Sequence, residues 1–154
     1  MPKKVKMLRK TNYKRRSGST TLELDLSRFE KQFQDAQYAL DNMVMTDMQP
    51  YMPHQTGMFI DVTKAQSAAL AGSGKVVAAA PPMGRFLYEG KVMVDPETGS
   101  PWARPGAKKV VTDKDLNYNK NQNPNATDHW FDEAKKQHGD NWVKVVKGIA
   151  GSGK

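Results

Sequence analysis

Cysteine is absent from this chain, so disulfides and thiolate chemistry play no part in what it does. No apolar run reaches the length of a membrane span or of a signal-peptide core. The expectation is a soluble protein made in a cytoplasm. Apolar residues are few, at 38%, and mean hydropathy is −0.73. The 154 residues are enough for one domain with a core. Such a low apolar content predicts that part of the chain forms arms or loops ordered by a partner. Histidine is scarce as well. His129 and His138 stand too far apart for the i, i+4 pair that grips a metal on one helical face, and His54 lies in a proline turn. The carboxylates are scattered. No catalytic, cofactor or metal site is expected, and the chain does not read as an enzyme.

Acid is missing from the first 16 residues, which instead hold Lys3, Lys4, Lys6, Arg9, Lys10, Lys14, Arg15 and Arg16. These eight account for the whole net charge of +8, because the other 16 basic groups balance the 16 acidic ones. Residues 1–19 therefore read as a basic arm with a hinge at Ser17-Gly18-Ser19. Three uses are open to it: gripping phosphates, docking on an acidic neighbour, or solubilising a terminus. Residues 20–150 read as a single α+β domain, and residues 151–154 as a flexible tail.

The domain opens with Thr20 to Leu26, whose alternating Leu22, Leu24 and Leu26 predict a half-buried strand. A long amphipathic helix follows from Ser27. Leu26, Phe29, Phe33, Ala36, Leu40 and Met43 draw its apolar stripe, with Arg28, Lys31, Gln34, Asp35 and Asp41 on the opposite face. Ser27 and Glu30 have the spacing of a capping box, and Pro50 and Pro53 stop the helix. At about 22 residues it would run roughly 33 Å, a spine for a small antiparallel sheet.

Gly57 to Val62 and Lys75 to Ala80 read as two strands of a hairpin, joined by a polar, alanine-rich connection and a glycine turn. Gly72-Ser73-Gly74-Lys75 has the look of a phosphate loop, but Ala69 and Val76 stand where that motif needs glycine and a hydroxyl. It reads as a flexible turn. Pro81 to Gly90 predicts a helical turn closed by glycine, with Phe86 and Leu87 pointing inward. Lys91 to Val94 is a strand and residues 95–99 a turn. Residues 100–127 form a long loop, rich in proline and asparagine, with a short strand at Ala107 to Thr112. Loops of that length are uncommon unless they meet something, so Trp102, Arg104 and Tyr118 join the arm as candidate contact residues. A C-terminal helix over residues 129–149 completes the domain. Thr127 or Asp128 could cap it, and Gly139-Asp140 could split it.

Pro50 through Gly57 resembles the proline, then Thr-Gly turn of tailed-phage minor capsid and tail-completion proteins, which carry a long helix before it. Arg85-Phe86-Leu87-Tyr88-Glu89-Gly90 resembles the aromatic motif that follows in that family. Gly90 to Gly99, Lys109 to Asp113, Asp115 to Tyr118 and Trp130 to Lys135 are similar to segments of minor capsid proteins from siphophages of Gram-positive hosts. The resemblance covers roughly residues 22–147 and omits the arm. It implies a structural virion protein in the neck, made in the host cytoplasm. Such a head–tail connector is a homo-oligomeric ring, usually a hexamer, between the adaptor or stopper and the tail terminator, around the DNA channel. The other reading is a non-enzymatic nucleic-acid-binding protein that uses the arm.

Overall fold

A computed structural model of the chain describes residues 3, 4, 8 and 11–151. Among the described residues the architecture is α+β, with two separate two-stranded antiparallel sheets and four α-helices. The first sheet is a hairpin of β1 (Asn12–Ser17) and β2 (Thr20–Asp25). Its register pairs Tyr13 with Leu24, Lys14 with Glu23 and Arg15 with Leu22. Gly18 turns the chain at φ 60°, the left-handed conformation that the first central position of a tight hairpin turn requires. The expected hinge is thus a turn, and the expected arm is half of a hairpin that continues to residue 25. Every residue of both strands is exposed, so the leucine alternation marks a strand but not a buried one.

Helix α1 (Ser27–Met48) starts where the sequence places it, without the expected capping box. The Ser27 N–H donates to Asp25 Oδ1 at 2.8 Å, while Glu30 Oε2 accepts from the Leu8 N–H at 2.9 Å. Within the stripe, Ala36 is buried and Leu40 and Met43 pack on the core, but Phe29 is 49% exposed. The buried end is Val44, Met45 and Met48. A 3₁₀ turn at Gln49–Tyr51, with Pro50 inside it, ends the helix as expected.

The helix does not lie on a sheet. Its partner is α4 (Trp130–Gly151), and together with Met52 the two helices make the core: Val44, Met45 and Met48 from one, Trp130, Ala134 and Trp142 from the other. An apolar stripe dictates that a face be covered and not by what. Two-stranded sheets are too narrow to cover it. The last helix is one continuous run through Gly139-Asp140, so no split occurs there. Neither expected cap closes its start: Thr127 Oγ1 donates to Asp128 Oδ1 instead, and the Asp132 and Glu133 N–H groups reach back to the His129 carbonyl.

The largest departure is residues 57–80. Met58–Leu70 is a helix, α2, and Lys75 to Ala80 has no strand partner among the described residues. Met-Phe-Ile-Asp-Val has the composition of a strand, but the helix-forming Lys-Ala-Gln-Ser-Ala-Ala-Leu that follows extends back over it. The Ser67 hydroxyl donates to the Val77 carbonyl at 3.0 Å and accepts from its N–H at 3.1 Å; Thr63 Oγ1 accepts from Ala80 N–H at 3.3 Å. Two side chains one helical turn apart thus satisfy backbone groups that a strand would have satisfied.

Helix α3 (Gly84–Glu89), closed by left-handed Gly90, and strand β3 (Lys91–Val94) stand as expected. Gly84 must lack a side chain, because a Cβ there would lie 2.4 Å from the Ala79 carbonyl carbon. Leu87 packs on the core, whereas Phe86 lies outside it, under the Lys109 ammonium at 4.9 Å. Strand β4 (Val110–Asp115) falls three residues later than expected and pairs antiparallel with β3.

Candidate interaction surfaces

Among the described residues no three histidines, cysteines or carboxylates converge as a metal site would require. His129 is the histidine nearest to carboxylates, with Nδ1 3.3 Å from Asp128 Oδ2 and Nε2 3.9 Å from Glu89 Oε2. Thr127 supplies a hydroxyl beside them, but it donates to Asp128 at 3.0 Å. A nucleophile needs its hydroxyl on the imidazole, with the carboxylate behind. Here hydroxyl and imidazole share one carboxylate, so the trio lacks that order. His138 lies against the Tyr51 ring, 6.4 Å between centroids. His54 turns Nδ1 inward without a partner and borders a cleft of about 270 Å³ with Phe59, Leu87 and Tyr118.

The basic arm is where charge and exposure coincide. Lys3 and Lys4 are exposed, and Lys14, Arg15 and Arg16 follow one another along β1. Lys6, Arg9 and Lys10 lie outside the described residues. Cross-strand partners share a side of a sheet. One side of the hairpin therefore carries Tyr13, Arg15, Leu22 and Leu24, and the other Lys14, Arg16, Thr21 and Glu23. Lys14 Nζ stands 3.5 Å from Glu23 Oε1. Tyr13, Leu22 and Leu24 are 43%, 59% and 46% exposed, so the hairpin's own apolar side is uncovered.

The long loop has two anchors. Asp95 is fully buried, and its carboxylate accepts from the Glu97 N–H at 2.9 Å, the Arg104 N–H at 3.1 Å and Arg104 Nε at 2.9 Å. Arg104 is therefore a structural clamp across residues 95–104, with Nη1 on Glu97 and Nη2 on Asp95 Oδ1. The clamp pushes Trp102 outward, where it is 84% exposed beside Phe86, Val92 and Pro101 in an open groove of about 410 Å³. Tyr118 turns inward and donates its hydroxyl to the Leu87 carbonyl. Burial, aided by Asp128, pushes its phenol up to about 12. The three loop candidates therefore separate: Trp102 is presented to solvent, while Arg104 and Tyr118 hold the loop on the domain.

The Arg104 guanidinium, with the backbone N–H groups, holds the Asp95 carboxyl well below its ordinary 3.8. A depressed carboxylate stabilises the fold fully above the unfolded value and loses that contribution as pH falls through the folded one. Asp95→Asn is expected to lower stability to urea by a constant amount above about pH 4. The gap to the parent should close as the pH drops further, which unfolding curves from pH 7 to pH 2 would check. A gap that stayed constant with pH would contradict the clamp.

Two buried carboxylates escape sequence reasoning. Asp41 sits on the face assigned to solvent, yet it is 4% exposed and accepts from the Gly72 and Gly74 N–H groups at 2.8 and 3.0 Å. The glycine turn is thus pinned by a side chain 31 residues earlier. Asp95 begins an expected turn, but only its distance to Arg104 marks it as a clamp. No protein family, curated protein or solved structure is detectably similar to the chain.

Proposed function

We propose that this protein is a structural subunit of the neck that joins the head of a tailed phage to its tail, built as a ring of identical copies around the DNA channel. The observation that carries the reading is the uncovered hairpin. Twelve strand residues stand off the body with Tyr13, Leu22 and Leu24 exposed, although a lone two-stranded hairpin is marginal in water. Such an arm is built to be completed by a neighbour. Exposed Trp102 at the tip of a clamped loop offers a second contact, since aromatic side chains anchor interfaces. The resemblance of Arg85 to Gly90 and Gly90 to Gly99 to minor capsid proteins supplies the setting. Its neighbours are then the adaptor or stopper on one side and the tail terminator on the other. Its work is geometric rather than catalytic, in the virion neck after assembly in the host cytoplasm.

Disrupting the gene in the phage tests this. The expected result is a mixture of filled heads and free tails with few joined particles, and a protein that labels the neck in wild-type virions. Infectious virions that lack the protein would overturn the reading. The exposed run Lys14-Arg15-Arg16, with Lys3 and Lys4, favours nucleic-acid binding as the second reading. It requires DNA affinity that falls steeply with salt, because each neutralised phosphate releases counterions.

A further inference from the structure

The two strands of the hairpin carry opposite charge. Strand β1 (Asn-Tyr-Lys-Arg-Arg-Ser) has three cations and no acid; β2 (Thr-Thr-Leu-Glu-Leu-Asp) has two acids and no cation. Among the described residues, neither strand has a partner on its outer edge. We propose that copies of this chain join edge to edge through the hairpin, the acidic β2 of one copy pairing antiparallel with the basic β1 of the next. This rests on the ring reading, which needs a head-to-tail contact, and it names the surfaces that make it.

Charge decides the direction. A two-fold dimer would set β1 against β1 or β2 against β2, placing Lys14, Arg15 and Arg16 opposite one another or acid opposite acid. Like charges directly opposite are destabilising. Pairing β2 with the next β1 puts acid against base instead, and it is heterologous, so it leads to a ring when the rotation closes. It also keeps the strands alternating in direction. In the register of the hairpin itself, Glu23 sits beside its own Lys14 and meets the Lys14 of the next copy on its open side. A slip of two residues brings Arg16 to Glu23 and Lys14 to Asp25, so the match of sign survives. In the hairpin's own register Tyr13 and Leu24 alternate in one row across successive hairpins, with Arg15 and Leu22 alternating in the row beside it on the same side. A sheet of four or more strands is stable where a lone pair is marginal.

Sedimentation velocity over a concentration series reads the contact in the full chain. The parent is expected to associate as concentration rises. Lys14→Glu with Arg16→Glu makes both edges acidic; Thr21→Lys with Glu23→Lys makes both basic. Asp25 is spared because it holds the Ser27 N–H. Each pair alone is expected to weaken association about tenfold or more. An equimolar mixture of the two chains should recover it, since acidic and basic edges then alternate. A chain with all four substitutions should associate by itself, which separates a lost contact from a melted hairpin. Helical circular dichroism should stay at the parent level throughout, because α1 and α4 are untouched.

Reversed chains that associate like the parent, a mixture that stays dissociated, or a parent that is monomeric throughout would each overturn the proposal. In the last case the charges merely guard the edges against pairing. The neck reading fails separately. Unaltered association of the reversed chains, with the protein still found in the neck, removes the edge contact alone. Charge-dependent association of a protein absent from virions removes the neck alone.

Discussion

Replacing Trp130 with alanine is expected to cost about 3–5 kcal/mol, the range for deleting a large, fully buried aromatic. Trp130 has no exposed surface and sits where α2, α3 and α4 meet. The Tyr88 ring meets it edge-on at 4.8 Å and the Phe59 ring at 5.8 Å, geometries that favour the aromatic quadrupoles. Its indole N–H donates to the Ala78 carbonyl at 2.8 Å, which, with the Ser67 and Thr63 hydroxyls, holds the extended segment 75–80 on the helices. Alanine leaves a cavity and an unpaired carbonyl together. Trp130→Phe fills most of the space and removes only the donor, so it is expected to cost less, about 1–3 kcal/mol. Urea unfolding of both variants checks the ranking. An alanine variant within about 1 kcal/mol of the parent would mean that the three elements are not held together there.

That junction also shows how far the sequence could be read. Trp130, Phe131, Ala134 and Trp142 announce a buried helix face, and α4 follows from them with its ends shifted by a residue or two. The same holds for α3 and β3, where proline, Gly90 and the apolar Val92-Met93-Val94 punctuate locally. What failed depends on distance along the chain. Whether Met58 to Val62 is a strand or a helix is settled by the residues after it and by the hydroxyls of Thr63 and Ser67 reaching residues 77–80. Whether α1 lies on a sheet or a helix is settled by α4, about a hundred residues later. Among the site candidates, Lys14, Arg15 and Arg16 were legible as an exposed arm because charge run together is rarely buried. Their place on one edge of a hairpin was not, since residues 20–26 read as the first strand of a separate domain. Trp102 was legible only as an aromatic in a long loop. Arg104 reads as a contact residue of the long loop, because nothing nearby in sequence shows that Asp95 is buried.

Asp41→Ala is the second change with a large expected effect, about 2–4 kcal/mol, and its logic runs opposite to that of Trp130. No cavity matters here; what matters is three donors losing one acceptor. The carboxylate takes the Gly72 and Gly74 N–H groups and the Gln37 side-chain amide, the last at 2.8 Å; the bond to Gly72 is buried and the other two are partly so. A buried amide N–H without a partner forfeits its hydration and gains nothing in return. The phosphate-loop look of Gly72-Ser73-Gly74-Lys75 has a physical basis, since the turn does aim backbone donors at an anion. That anion is the chain's own, delivered from the middle of α1. Asp41→Asn keeps one oxygen as acceptor but removes the charge and places an amide where a second acceptor was, so it is expected to fall between parent and alanine. Hydrogen exchange separates this from general loosening: the Gly72 and Gly74 amides should lose protection in Asp41→Ala well before those of Val44, Met45 and Met48 in the same helix. Uniform loss along α1, with the glycine amides no more affected than the rest, would show that Asp41 serves the helix and not the turn.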